Sequence, residues 1–321
     1  MAESCYVILQ IGVGPGRVAP SDALIVQKNG ERFELRDDIW IERLDEEFSK
    51  NIQKACEPPH FNIDVEPSDR HLDAFVRRVP KTETRTHEGL AELVATIALS
   101  RLINPTSAGE RHSCKAFQFG STKSAIQAIQ FSGISPDVIL GPNSRDWLSR
   151  DDGQELLNLM PWVSDKQMLP RVHRAYWYHE HAMRSYYLDV RWPAIVAALE
   201  AMVNTDENDC AWQFRDRVRQ LAVDFKVALD DAELQRVWQL RSKLVHAEGF
   251  LYNLNVVLPS SPDSALYMKV EGLLRSVVRR CLLDDNFGRF FRDSISVEKQ
   301  FPLSPKPQQK RALRARGKIS P

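Results

Sequence analysis

Residues 230–249 read Asp230-Asp-Ala-Glu-Leu-Gln-Arg-Val-Trp-Gln-Leu-Arg-Ser-Lys-Leu-Val-His-Ala-Glu-Gly249. Leu234, Val237, Trp238, Arg241, Leu244 and Val245 recur at the three-and-four spacing of an amphipathic helix. Asp230-Asp231 suits its N-terminus and Gly249 its end. Arg241 and His246 stand near the C-terminal end of that helix. A guanidinium is a permanently charged, forked donor suited to phosphate. An imidazole exchanges protons near neutral pH. The two together point to phosphodiester chemistry that needs no metal and no cofactor.

Outward from this helix, the chain from Val172 onward reads as helical throughout. The stretch 172–189 is rich in aromatic residues, with Tyr176, Trp177, Tyr178, Tyr186 and Tyr187. Next comes a helix to about Val203 carrying Ile195, Val196, Ala198, Leu199 and Met202, with Pro193 placed in its first turn. A third helix is expected over 211–229. After the central helix a fifth, over 265–283, shows a stripe of Leu266, Val270, Leu273, Leu274, Val277, Val278, Cys281 and Leu282. Amphipathic helices in series predict a bundle. The tail from Lys299 holds seven lysines and arginines, four prolines and no acid. It reads as disordered, and as either a solvated end or a set of cations for RNA phosphates.

The first half reads differently. Tyr6–Ile11 is a strand, and the glycines at 12, 14 and 16 lack the following helix that a phosphate loop requires. Asn29-Gly30 between 23–27 and 32–35 predicts a hairpin. Helices are expected over 41–55, 88–102 (with Thr86 as N-cap) and 122–131, and strands over 116–119 and 138–140. The polar segment 143–158 with Pro161 and Pro170 places a domain boundary near 165. The organisation expected is an α+β N-terminal domain over 1–165, an all-α bundle over 166–299 and a basic tail over 300–321. The chain as a whole is expected to be predominantly helical.

Composition narrows the function classes. With 43% hydrophobic and 27% charged residues, the chain of 321 residues buries a core of ordinary size. A formal net charge of zero argues against a strongly basic nucleic-acid binder but leaves room for a local patch. Five cysteines at 5, 56, 114, 210 and 281 form no Cys-x-x-Cys pair, so free thiols in a reducing cytoplasm are expected, with no cysteine-based zinc site. No signal peptide and no membrane-spanning run is read from the sequence. His179-Glu180-His181 resembles a metal ligand cluster, but residues two apart on a helix point in different directions.

Arg-x4-His spacing also occurs at Arg174 and His179, so spacing alone carries little. On an ideal helix Arg241 and His246 project about 140° apart, whereas Ser242 and Lys243 share the face of His246. The pair converges if the helix end unwinds or if two copies meet across a two-fold axis. The bland reading is that Arg241 pairs with a carboxylate such as Glu200 and His246 favours a helix C-terminus.

Order and context add to the motif. Trp192-Pro-Ala-Ile-Val-Ala-Ala-Leu-Glu-Ala-Met-Val-Asn204, then Phe214-Arg215, then Leu240-Arg-Ser-Lys-Leu-Val-His246 follow one another on successive helices. This arrangement over roughly 171–285 resembles the HEPN superfamily, and within it the Apea-like branch, whose mark is an Arg-x4–6-His motif after a helix bearing Leu-Glu-Ala. The chain departs from the pattern at Ala247-Glu248, which precede Gly249, and at Ser242, where the narrower motif has asparagine. The resemblance implies a helical bundle that dimerises and, in many members, a metal-independent endoribonuclease; other members bind RNA or proteins without catalysis. It implies Arg241 on the scissile phosphate, His246 as acid–base, Lys243 on a neighbouring phosphate and Ser242 orienting the histidine. Family members are frequent in prokaryotic toxin and phage-defence systems, which implies a regulatory partner for the N-terminal domain. The aromatics of 176–187 then serve the core and dimer interface, or stack RNA bases.

Overall fold

The computed structural model describes residues 2–10, 32–43, 47, 51, 72–79, 86–105, 109–119, 122–131, 148–164, 166–185, 188–246 and 262–306. The chain divides into two compact units at Gln167/Met168. Helix predominates over strand among the described residues.

The first unit is built on a six-stranded antiparallel sheet. Its strands are β1 (Ala2–Gln10), β2 (Arg32–Arg36), β3 (Ile39–Arg43), β4 (Leu72–Val79), β5 (Gly109–Phe119) and β6 (Thr122–Phe131). They lie in the order β2-β3-β4-β1-β5-β6. Helix α1 (Thr86–Ile103) packs on β1 and β4 and buries Leu93, Ile97, Ala98 and Leu102. Two short helices, α2 (Arg150–Leu159) and α3 (Pro161–Ser164), complete the unit. Arg36 links them. Its guanidinium donates to Asp38 at 2.5 Å, to Glu92 of α1 at 2.6 Å and to the Ser164 hydroxyl at 3.1 Å. The Asp38 and Glu92 carboxylates outweigh partial burial and hold the Arg36 pKa above its ordinary value.

The helix expected over 41–55 fails at its start, and the one over 122–131 fails throughout. Residues 41–43 belong to β3, where Ile39, Trp40, Ile41, Glu42 and Arg43 are all buried, whereas Glu47 and Asn51 are helical. β3 is paired to β2 and β4 and is also buried on both faces, so it shows no alternation to distinguish it from a helix. The helix expected over 122–131 is β6, and Phe119 pairs directly with Thr122. The intervening Gly120-Ser121 in the sequence is a two-residue hairpin signal that the apolar spacing outweighed. Between the two expected helices 41–55 and 88–102, where the sequence assigned no element, the structure has β4, whose Arg77 and Arg78 masked its pairing with β1 and β3. The hairpin expected at Asn29-Gly30 and the strand at 138–140 lie outside the described residues. The hairpin that is described turns at Asp37-Asp38.

The second unit is helical: α4 (Pro170–Arg184), α5 (Leu188–Val203), α6 (Cys210–Asp224), α7 (Asp231–Val245), α8 (Pro262–Leu283), α9 (Asp285–Gly288), a 3-10 turn (Arg289–Phe291) and α10 (Ser294–Gln300). Helix α5 is its centre and touches α4, α6, α7 and α8. Trp192, Ile195, Val196, Ala198, Leu199 and Met202 are buried along it. Pro193 is the sixth residue of α5 and not part of its first turn, because the helix already begins at Leu188. The bond its missing N–H forfeits is to the carbonyl of Asp189, still near the helix start. Asp230 caps α7 as the sequence suggests: its side chain accepts from the Glu233 N–H at 2.7 Å, and Glu233 accepts from the Asp230 N–H at 3.0 Å.

The tail expected to be disordered from 300 onward is docked over its first residues. Phe301 is buried and stacks on Phe291, with ring centroids 5.7 Å apart. The buried Arg217 of α6 donates to the Phe301 carbonyl at 3.0 Å and to the Val203 carbonyl at 2.6 Å. Gln220 donates to the Pro302 carbonyl, the Ser304 N–H donates to Asp216, and Lys306 pairs with Asp209. One apolar side chain in a pocket and four polar ties offset the ordering entropy that proline and charge otherwise win. Residues 307–321 lie outside the described residues.

Candidate functional site

Arg241 leaves α7 toward α5. Its Nη2 donates to Glu200 Oε2 at 3.1 Å, and the guanidinium lies over the Trp238 ring, 5.3 Å from its centroid. Trp238 in turn lies against Phe214 of α6, with ring centroids 5.4 Å apart. The carboxylate fixes one edge of the guanidinium and the indole fixes one face. Arg241 keeps 28% of its side chain exposed. Only one of its five N–H donors is engaged by Glu200, so the outward edge can meet a phosphate. Burial pushes the Glu200 carboxyl above its ordinary value, and the charge and hydrogen bond of Arg241 only partly reverse that.

His246 is the C-cap of α7 and is exposed. Its backbone N–H donates to the Ser242 carbonyl at 3.0 Å, so the helix is wound up to the motif's last residue. The unwinding that would swing Arg241 and His246 together within one chain is therefore not present. About 140° of helical rotation separates them. Ser242 is half-buried and Lys243 exposed, both within the last turn. Ala247, Glu248 and Gly249 lie outside the described residues, as does the glycine run at 12–16. The sequence named the carboxylate partner correctly as Glu200. It did not reveal Trp238 as the platform, because an aromatic at core spacing on an amphipathic helix reads as packing.

The His179-Glu180-His181 run is split as helical geometry requires. His179 is fully buried, with Nε2 2.9 Å from Glu271 Oε1 of α8. His181 is exposed and lies parallel to the Trp177 ring. Among the described residues no group of three or more His, Cys, Asp or Glu side chains is placed to hold a metal ion. Nor is any described helix long and apolar enough to cross a membrane.

Glu271 joins a buried contact that sequence reading missed, since His179 reaches it from a separate helix. It accepts from His179 of α4 and from Arg275 Nε at 3.0 Å. Burial pushes the Glu271 carboxyl up, but Arg275 and His179 outweigh it and hold the group below its ordinary 4.5. A carboxyl with a depressed pKa in the folded chain contributes stability that is complete above the unfolded value and is lost as pH falls through the folded one. Glu271→Gln is expected to lower the thermal midpoint at pH 7 and to flatten the loss of stability below pH 4.5. An acid limb identical to that of the wild type, measured by thermal melts across that range, would show that Glu271 does not set it.

Against protein-family models, curated proteins and solved structures, the chain has no match.

Proposed function

We propose that the helical unit is a HEPN-like, metal-independent endoribonuclease, active as a homodimer in the cytoplasm. The observation that carries this reading is the pairing of an oriented cation with an exposed acid–base at one helix end. Arg241 is aimed by Glu200 and Trp238 with its outer edge open, and His246 stands at the exposed C-cap of the same helix. Val245 is 52% exposed between them, an apolar side chain available to an isologous contact with a second copy. A two-fold axis beside the end of α7 brings the Arg241 of one chain toward the His246 of the other. In such a groove one imidazole removes the proton of an RNA 2′-hydroxyl as its oxygen attacks the adjacent phosphorus. The second protonates the departing 5′-oxygen, and the arginines neutralise the added charge on the phosphoryl oxygens. Lys243 holds a flanking phosphate and Ser242 steadies the motif's last turn. The products are a 2′,3′-cyclic phosphate and a 5′-hydroxyl. The N-terminal unit is assigned to a regulatory partner of a toxin or phage-defence system.

The decisive experiment incubates the protein with single-stranded RNA and chelator, then analyses the product ends. Cyclic phosphate ends support the reading, and cutting that requires added metal refutes it.

A second reading has its own observation. The intact helix and the Glu200 pair turn Arg241 inward, as in a non-catalytic RNA-binding or protein-interaction module of the same architecture. RNA binding without cutting by the wild-type dimer selects it.

The basic tail gives a further expectation. Truncation after Lys306 leaves the docked segment intact and removes Lys310, Arg311, Arg314, Arg316 and Lys318. If these contact RNA phosphates, binding weakens and its dependence on log salt becomes shallower. An unchanged slope in a salt titration assigns the tail no part in binding.

A further inference from the structure

We propose that the solvent face of α4 is a docking strip for single-stranded RNA, separate from the Arg241/His246 motif. His173, Arg174, Trp177, His181 and Arg184 are all exposed. At helical spacing they fall within about 100° of one another around the axis, which makes one continuous strip. Ala175, His179, Ala182 and Met183 take the opposite, buried face. The core therefore uses the small and apolar side chains of this helix and leaves its largest aromatic outside. Trp177 is 56% exposed, and no other aromatic is among the exposed large hydrophobic side chains of the described residues.

Its ring is not loose. Trp177 lies parallel to His181, with an interplanar angle of 2° and centroids 5.6 Å apart, and edge-on to Tyr178 at 5.5 Å. Two parallel rings one turn apart form a platform, both of whose side chains are exposed. Stacking on such a platform tolerates any base, so it suits a strand without a fixed sequence. The charge of the helix agrees with a polyanion. Its single acid, Glu180, has 13% of its side chain exposed and is held by Arg184 at 2.6 Å. Arg174 stands on the exposed strip itself.

The same charge argues against a second copy of the chain as the occupant. An isologous contact through this strip gathers Arg174 and Arg184 of both copies at one interface, and like charges oppose association. The strip also belongs to a different helix from the motif. Both α4 and α7 pack on α5; α7 lies further against α6 and pairs with α8 through Arg236–Asp263 and Glu233–Lys269, and α4 lies further against α8. The strip thus holds a stretch of RNA away from the scissile bond. That the strand is RNA and not DNA rests on the ribonuclease reading; the stacking and charge do not depend on it.

The test measures affinity and not cutting. The full-length chain is titrated into a fluorescently labelled 2′-O-methyl oligouridine of about 12 nucleotides, a length that spans a stacking site and its flanks. This oligonucleotide has no free 2′-hydroxyl and is not a substrate. Trp177→Ala is expected to weaken binding about tenfold, and Trp177→Phe, which keeps a π-face, to restore most of it. Arg174→Ala is expected to lower the salt slope by about one phosphate contact. Trp177 is exposed, so the variants keep the wild-type melting curve. Affinity of Trp177→Ala within twofold of wild type overturns the proposal, as does an equal loss in Trp177→Phe. Tighter binding of the DNA of the same sequence overturns it too. Loss of self-association in Trp177→Ala with RNA affinity unchanged makes the strip a contact between copies and overturns it. Trp177-dependent binding in a protein that never cuts RNA leaves the strip standing and removes the ribonuclease reading. Cutting with no dependence of binding on Trp177 does the reverse.

Discussion

His246→Ala is expected to slow RNA cleavage by about 10²- to 10⁴-fold, the usual contribution of a positioned general acid or base. His246 is an exposed C-cap, and its backbone N–H still donates to the Ser242 carbonyl. Replacing its side chain removes no buried contact, so the fold survives and the loss reports on chemistry. Arg241→Ala is expected to cost about 10²- to 10³-fold through lost charge stabilisation in the transition state. It also leaves Glu200 without the hydrogen bond that Arg241 supplies. Arg241→Lys separates the two effects: it keeps the charge but cannot reproduce the forked, stacked geometry over Trp238. Lysine is therefore expected to recover only part of the activity. In mixtures, an excess of His246→Ala chains should reduce the activity of each wild-type chain, because a groove shared across a two-fold axis needs both copies. Product yields from labelled RNA in chelator measure all four. Unchanged cutting by His246→Ala ends the mechanism. Cutting by a species that sediments as a monomer ends the shared groove.

The largest effect on stability is expected at Phe301. Its side chain is 2% exposed and stacks on Phe291, which itself meets Phe287 edge-on at 5.6 Å. Phe301→Ala is expected to cost about 3–5 kcal/mol, the range for emptying a buried phenylalanine site. For a unit of about 150 residues that corresponds to a fall of roughly 10 °C in the melting temperature. The loss has a second component. Arg217 is buried and donates to the carbonyls of Val203 and Phe301. If the segment 301–306 detaches, a buried guanidinium loses an acceptor, which is costly in its own right. Denaturant unfolding of Phe301→Ala beside Lys306→Ala gives the comparison. The lysine pairs with Asp209 at the surface and its loss should leave the midpoint unchanged. A change below about 1 kcal/mol for Phe301→Ala would mean that the ring does not anchor the segment.

Anchoring has a consequence for the tail beyond it. The cations from 310 onward start from a fixed point against α6 and not from a free chain end. Their reach is therefore counted from Lys306, which lies beside Asp209 at the start of α6.

Local pattern decided much of the second unit. The three-and-four spacing of Leu234, Val237, Trp238, Arg241 and Leu244, the Asp230/Glu233 cap and the stripe over 265–283 were legible because each depends on neighbours in sequence. The same holds for Thr86 at the start of α1 and for the opposed directions of His179 and His181. What local pattern misread was the sheet. Ile41 and the apolar residues of 122–131 fit helical spacing, yet pairing with β2 and the more distant β4 made 41–43 part of β3, and pairing with the adjacent β5 made 122–131 a strand. A strand buried on both faces carries no period of its own, so only its partners identify it. Tertiary structure also decided what each charged group does. Only folding brings Glu271 to His179, 92 residues earlier in the chain, and only folding gives Phe301 the pocket that docks 301–306 at the start of the proline-rich basic tail. The motif itself shows the division most clearly. The types and spacing of Arg241 and His246 are written in the chain, and so is their 140° divergence on an ideal helix. That the helix stays wound to His246, so that one chain does not close the site alone, is a property of packing and hydrogen bonding in the folded unit.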